Sequence, residues 1–181
     1  MRLQSKVTIV TGGAMGIGKG IAGEFVKEGA TVVIADVDEQ SGRQAAAELQ
    51  QAGGHASATR CDVSHEPQVK RLIEAVVAEH GRLDVVVNNA AIGVYQSVTE
   101  ATTEDFDRCL AVNLRGPFLG IKHAVAPMRA SGGGSIINIA SVHSVQNVGG
   151  TAPYAASKGG VAERAPSWGE KSSGAVFSPS P

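Results

Sequence analysis

The sequence predicts an α/β fold, a doubly wound parallel sheet of about five strands with helices on both faces. Three observations lead there. Short runs rich in Val and Ile alternate along the chain with longer segments of helical period. Those runs are continuously apolar rather than alternating, as strands are when both faces are covered. The first of them ends in a glycine-rich stretch, TGGAMGIGKG at 11–20, that leads straight into a helical pattern.

Each element has its own justification. Residues 6–11 (KVTIVT) read as the first buried strand. In 16–28, Ile17, Ile21, Phe25 and Val26 lie near helical spacing, and Gly29 closes the helix. TVVIA at 31–35 is the second strand, stopped by Asp36. The Ala-, Gln- and Glu-rich segment 39–52 is helical and stops at Gly53-Gly54, and 56–60 is a weak third strand. Ser64 is expected to cap the next helix, whose first turn accepts Pro67 and whose apolar face is Val69, Leu72, Ile73, Val76 and Val77. DVVV at 84–87 is the fourth strand. Thr102 and Asp105 have the spacing of a capping box, heading a long helical region that Pro117 should kink or restart. SIINI at 135–139 is the fifth strand, and a further helix begins at Ala152 and runs to about Arg164.

Composition narrows the function. A chain of 181 residues suits one domain with a sizeable core. A net charge of −1 with no long Lys/Arg run argues against nucleic acid or an anionic membrane as partner. The opening MRLQSKVTIV lacks the apolar core of a signal peptide, and no run of about 18 apolar residues exists to span a bilayer. Cys61 and Cys109 have no motif spacing, which points to reduced thiols and a cytoplasmic protein; a disulfide is neither required nor ruled out. His55, His65, His80, His123 and His143 show no metal-ligand spacing, so no metal site is expected.

The glycine-rich loop fits two phosphate-binding patterns. From Gly13 it runs G-x-x-x-x-G-K, yet a Walker loop needs Ser or Thr after its Lys to hold magnesium, and Gly20 stands there. The fourth strand also ends in Asn88-Asn89 rather than in an acid. A dinucleotide loop needs a carboxylate at the end of the second strand, about 20 residues on, to bind the adenosine ribose. Asp36 meets that demand. Gly12 then permits the tight turn, Gly16 lets backbone approach the pyrophosphate, and Gly18 allows close helix packing. Ile17 opens the helix whose N-terminal N–H groups face the diphosphate. The fold is therefore expected to be Rossmann-like. A carboxylate at 36 repels the 2′-phosphate of NADP, and neither Met15 nor Val37 is basic, which favours NAD over NADP. A plain helix-capping role for Asp36 is compatible with this one.

Tyr154 and Lys158 stand at i and i+4 on one face of the last helix. An ammonium beside a phenol favours the phenolate and so suits it to move protons near neutral pH. Alone, such a pair reads as an exposed helix face. It is not alone: TGGAMGIG at Thr11, Asp36, CDV at Cys61, NNAA at Asn88, Asn113, Ser141 within NIASV, and YAASK at Tyr154 occur in an order and spacing that strongly resemble the short-chain dehydrogenase/reductase family. Ala91 stands where the family usually has Gly, a minor change.

The resemblance implies an oxidoreductase that moves a hydride between NAD(H) and a small alcohol or carbonyl substrate. Tyr154 would be the general acid or base, and Lys158 would lower its pKa and hold the nicotinamide ribose. Ser141 would bond the substrate oxygen, and Asn113 would help hold a relay water. Asp62 and Val63 would lie by the adenine, and Asn88 to Ala90 along the cofactor cleft. His143, two residues past Ser141, reads as a packing residue that could border the substrate pocket.

The resemblance ends near Val161. The dinucleotide-binding domain is thus expected over 1–165, and the Ser- and Pro-rich segment 166–181 is expected to be irregular or disordered. The family's last strands, with their Pro-Gly element and substrate loop, are not recognisable, as if the chain were truncated or frame-shifted. That sets a competing expectation, a non-catalytic chain that at most binds dinucleotide. Homo-oligomers are usual for the family, but the helix that builds much of their interface is cut short, which puts that state in doubt here.

Overall fold

The computed structural model describes residues 1–164 and 176–178. Five parallel strands and six helices follow the expected order. The strands are β1 Val7–Thr11, β2 Thr31–Asp36, β3 His55–Arg60, β4 Val85–Asn88 and β5 Ser135–Ser141. Between and after them run α1 Gly16–Lys27, α2 Glu39–Gln51, α3 Glu66–His80, α4 Thr103–Leu110, α5 Gly116–Ala130 and α6 Ala152–Arg164. The segment expected to be irregular contributes one described element, β6 Val176–Ser178, which pairs parallel with Ile139–Ser141. Its VFS sequence suits a strand, and the open edge of β5 offers unpaired backbone groups to it. The rest of 166–181 lies outside the described residues.

The strand order is β3-β2-β1-β4-β5-β6, so the chain reverses direction across the sheet between β1 and β4. In an open α/β sheet the crevice beyond the carboxyl ends of the strands at such a reversal is where ligands bind. Side-chain alternation along the strands feeds two cores. Val7, Ile9, Val33 and Val86 pack against α3 and α5 through Val69, Leu72, Ile73, Leu119 and Ala124. Val10, Val32, Ile34 and Val87 face the other way, onto Ala22, Ala45 and Ala46 of α1 and α2.

One local expectation is corrected. Ser64 does not cap α3; its hydroxyl and N–H both donate to Asp62 Oδ1, at 2.7 and 2.9 Å, and His65 occupies the cap position without a side-chain bond. Pro117 restarts the helix as expected, standing in the first turn of α5. The break lies just upstream, as a π-turn over Ala111–Arg115 that joins α4 to α5. Proline has no N–H to give the carbonyl four residues back, that of Asn113, so the regular ladder fails there. Thr102 does cap α4, accepting from the Asp105 N–H at 3.1 Å.

The opposite end of the sheet is pinned by one carboxylate. Asp84 accepts from Lys6 Nζ at 2.9 Å, from the Val7 N–H at 3.0 Å, and from Arg82 Nε at 2.7 Å. Burial works to raise its pKa, but these donors outweigh it and hold the group at about 2. A folded pKa below the unfolded value means stability that is present above about pH 4 and lost as pH falls toward 2. Asp84→Asn is expected to cost about 2 kcal/mol near pH 7, with the gap to the parent closing near pH 2. Urea melts at both pH values check this, and an equal gap at both would refute the ionic origin.

Candidate active site

The loop after β1 is shaped for a phosphate-bearing ligand. Gly12 and Gly16 have φ of +63° and +54°, the left-handed region that favours glycine. A Cβ at Gly18 would sit 2.1 Å from the Gly12 carbonyl oxygen, so only glycine lets α1 come this close to β1. A Cβ at Gly16 would meet nothing within 4 Å, so its backbone faces open space. Met15, the N-cap of α1, makes no side-chain cap bond, and the first turn holds no acid. Its N–H groups are thus directed, with the favourable end of the helix dipole, to the mouth of the crevice. Ile17 is exposed there. Lys19 is drawn away into an ion pair with Glu48 at 2.6 Å, which leaves no Walker-type lysine at the loop.

Asp36 closes the loop from the end of β2, accepting from the Ala14 N–H at 3.0 Å and the Asp38 N–H at 3.1 Å. Asp62, half-buried beyond β3, has a pKa that burial works to raise, but Ser64 holds it below the usual value. Val63 is buried beneath Gly116. The two asparagines after β4 part company. Asn88 turns inward and donates to Asn138 Oδ1 at 2.8 Å. Asn89 turns to the loop and donates to the carbonyls of Thr11 and Gly12, both at 3.0 Å. Ala90 donates its N–H to Thr11 Oγ1 at 3.1 Å. Asn89 is thus the side chain that braces the loop, and its doublet with Asn88 gave no sign of which would do so.

The carboxyl end of β5 and the head of α6 bring the other group together. Ser141 ends β5 and accepts from the His143 N–H at 3.2 Å. Its hydroxyl also lies close enough to the phenol of Tyr154 to favour the phenolate. Lys158 Nζ lies 5.9 Å from the centroid of the Tyr154 ring and donates to the Ile139 carbonyl at 2.7 Å. Asn113, fully buried in the π-turn, clamps the loop after β4: its Oδ1 accepts from the Ile92 N–H at 2.8 Å and its Nδ2 donates to the Ile92 carbonyl at 2.9 Å. Tyr95 and His143 flank Tyr154, with ring centroids 6.1 and 5.8 Å away. His143 therefore does stand at the tyrosine, with its Nδ1 buried and unpartnered.

Burial sets the charges of this pair more than the pair itself does. It pushes the Tyr154 phenol above its ordinary value, against the pull of Ser141. It lowers the Lys158 ammonium to about 8. The direct effect of Lys158 on Tyr154 expected from their spacing is not among the causes that set the phenol, because the ammonium is turned to Ile139 rather than to the phenol oxygen. No group of His, Cys, Asp or Glu among the described residues could hold a metal, and no described helix is long and apolar enough to cross a membrane.

A glycine cradle and the cluster of Ser141, Tyr154 and Lys158 stand together at the carboxyl ends of one parallel sheet. The chain belongs to the short chain dehydrogenase family, whose profile matches residues 6–172, past the point where the sequence resemblance fades. It is 39% identical over 160 residues to a cyclopentanol dehydrogenase of Comamonas sp. (strain NCIMB 9872), covering 88% of this chain and 64% of that protein. It is 47% identical over 165 residues to tropinone reductase-like 2 of Erythroxylum coca, covering 88% and 58%. A metagenomic short-chain oxidoreductase solved in complex with NADP superposes with a TM-score of 0.92 at 34% identity, covering 98% of this chain and 83% of that one. The chain thus spans less than two thirds of the length of these curated relatives.

Proposed function

We propose that this chain is a NAD-dependent dehydrogenase or reductase for a small, largely apolar secondary alcohol or ketone, with Tyr154 as its acid or base. The observation that carries the proposal is the meeting of Ser141, Tyr154 and Lys158 at the end of β5, next to the strand whose following residue braces the glycine loop. The cradle fits a dinucleotide: Gly12, Gly16, Ile17 and Gly18 with the α1 N-terminus would take the diphosphate and Asp36 the adenosine ribose. Asp62 and Val63 would border the adenine, Asn88 to Ala90 the cleft, and Tyr154 and Lys158 the nicotinamide ribose. When bound, the dinucleotide supplies the hydride acceptor or donor.

The residues supply the proton and the orientation. In alcohol oxidation Tyr154 takes the hydroxyl proton as the carbinol hydrogen leaves as hydride, and it returns the proton in ketone reduction. Ser141 holds the substrate oxygen and stabilises charge that develops on it. Lys158, with an ammonium brought to about 8, can pass protons close to neutral pH. Both hydrogens of the Asn113 amide are engaged, to Ile92 and Ser157, so its part in holding a relay water falls to the second lone pair of Oδ1 or to its backbone carbonyl. Tyr95, Val98, Val142, Val145 and Val148 are exposed in the segments that flank Tyr154, which favours an apolar substrate. The cyclopentanol dehydrogenase and tropinone reductase-like relatives are in keeping with a cyclic one.

The test joins binding to turnover. NADH is expected to raise the melting temperature, and cyclopentanol with NAD is expected to yield NADH. Because the chain spans 64% of the cyclopentanol dehydrogenase's length, a chain that binds dinucleotide without turnover is the second reading. A melting shift without product would select it, and no shift would reject both. The cofactor preference has its own test. Asp36→Asn is expected to lower the preference for NADH over NADPH by about tenfold, because it removes the charge that opposes a 2′-phosphate. Equal binding of the two by the unsubstituted chain would overturn the NAD assignment.

A further inference from the structure

Ser157 lies between the two residues of the Tyr-Lys pair, fully buried, and every valence of its hydroxyl is used. It donates to the Tyr154 carbonyl at 2.6 Å and accepts from Asn113 Nδ2 at 3.1 Å and from the Cys109 thiol at 3.8 Å. A serine inside a helix commonly turns its hydroxyl back to a carbonyl of its own helix and stops there. Here the lone pairs also take donors from two other places, the π-turn through Asn113 and α4 through Cys109. We propose that Ser157 is a positioning residue of the active site, its hydroxyl tying the π-turn at Asn113 to the Tyr154 turn of α6 and so fixing where Tyr154 meets Ser141. The inference rests on the proposed role of Tyr154 and adds a residue outside the Ser-Tyr-Lys set.

The bond count shows why the tie has no ready substitute. The Asn113 amide has two hydrogens, and the Ile92 carbonyl takes one. Without the Ser157 oxygen, the other has only the Cys109 sulfur within reach, at 3.4 Å, and a thiol is a weak acceptor. At the other end, the Tyr154 carbonyl loses the one side-chain donor among the described residues that reaches it. The Tyr154 turn then shifts against β5, and the phenol moves away from the Ser141 hydroxyl, whose proximity favours the phenolate. A serine that merely filled space would leave the phenol where it is.

The test reads the phenol directly and needs neither cofactor nor turnover. The chain has 2 tyrosines, so Tyr95→Phe leaves one. Fluorotyrosine, whose phenol is more acidic than that of tyrosine, then gives a single fluorine NMR resonance that titrates with Tyr154. The groups that face the ring are His143, Lys158 and Cys109, with position 95 made neutral in this background. Ser157→Ala is expected to raise the apparent pKa by about half a unit or more. Ser157→Thr, which keeps the hydroxyl, is expected to return it to the parent value. An unchanged curve in Ser157→Ala overturns the proposal, as does a Thr variant displaced as far as the Ala one. Should Ser157→Ala fail to melt cooperatively, Ser157→Cys keeps the volume with a weaker donor and acceptor. The same upward shift is expected there, and a parent-like curve overturns the proposal. A parent chain with no NADH shift or no turnover would count against the proposed function and leave this titration to be read on its own.

Discussion

Replacing Tyr154 by phenylalanine is expected to lower kcat by about 10³-fold while leaving the NADH-induced rise in melting temperature in place. The ring stays, so its contacts with Tyr95 and His143 survive, and only the hydroxyl beside Ser141 is lost. Fold and cradle are untouched, since no glycine-loop residue touches the phenol among the bonds described above. What is lost is the group proposed to exchange a proton with the substrate oxygen, and no neighbour among the described residues is placed to take over. Ser141 is occupied with the His143 N–H, His143 presents its ring at 5.8 Å, and Lys158 points to Ile139. Turnover of cyclopentanol by purified Tyr154→Phe, set beside its melting curves with and without NADH, is the measurement. A variant that kept a tenth of the parent kcat would remove Tyr154 from the chemistry.

Gly18→Ala is expected to cost about 3 kcal/mol of stability and to abolish the NADH shift. The added methyl would lie 2.1 Å from the Gly12 carbonyl oxygen, 2.9 Å from the carbon behind it and 2.5 Å from Asn89 Nδ2. Backbone atoms cannot swing aside as a side-chain tip can, so α1 would have to back away from β1. That motion breaks the bonds from Asn89 to Thr11 and Gly12 and removes the N-terminus of α1 from the loop it completes. Gly20→Ala is the control. It lies two residues on in the same helix with nothing within 4 Å of its Cβ, and it is expected to stabilise by about 0.5–1 kcal/mol. Denaturant melts of both variants separate loop geometry from helix propensity, and a Gly18→Ala chain as stable as the parent would show that the close approach is dispensable.

Much of the fold was legible because its signals are local. Continuous runs such as TVVIA can hardly be anything but buried parallel strands, and Asp36 is placed simply by where that run ends. The glycine roles followed from backbone geometry, which a residue type constrains directly. What the sequence hid is non-local. Strand β4 ends one residue later than its apolar run suggests, and that single step decides that Asn88 faces Asn138 while Asn89 braces the loop. The π-turn was visible only as a proline, because its cause is shared between Pro117 and contacts to Ile92 and Ser157 that lie far along the chain. Burial of Tyr154 and Lys158 depends on packing by β5, the loop after β4 and α4, so the balance of their charges could not be read from their spacing. Strand β6 comes from a segment whose composition gives no period, and the edge of β5 is what organises it.

The π-turn also means that residues 103–130 carry two helical phases joined at a dislocation rather than one continuous wheel. One surplus residue is absorbed there, and the faces of α4 and α5 stay aligned with their separate neighbours, α6 and α3. Asn113 sits inside the fault. Deleting a single residue from 111–115 would remove the surplus residue and bring the two phases into line, with only the bond Pro117 cannot donate still missing, and in doing so would rotate the amide off Ile92 and Ser157. The more regular protein would be the one without its clamp: part of the order of this candidate active site is stored in a lattice defect of the longest helical segment among the described residues.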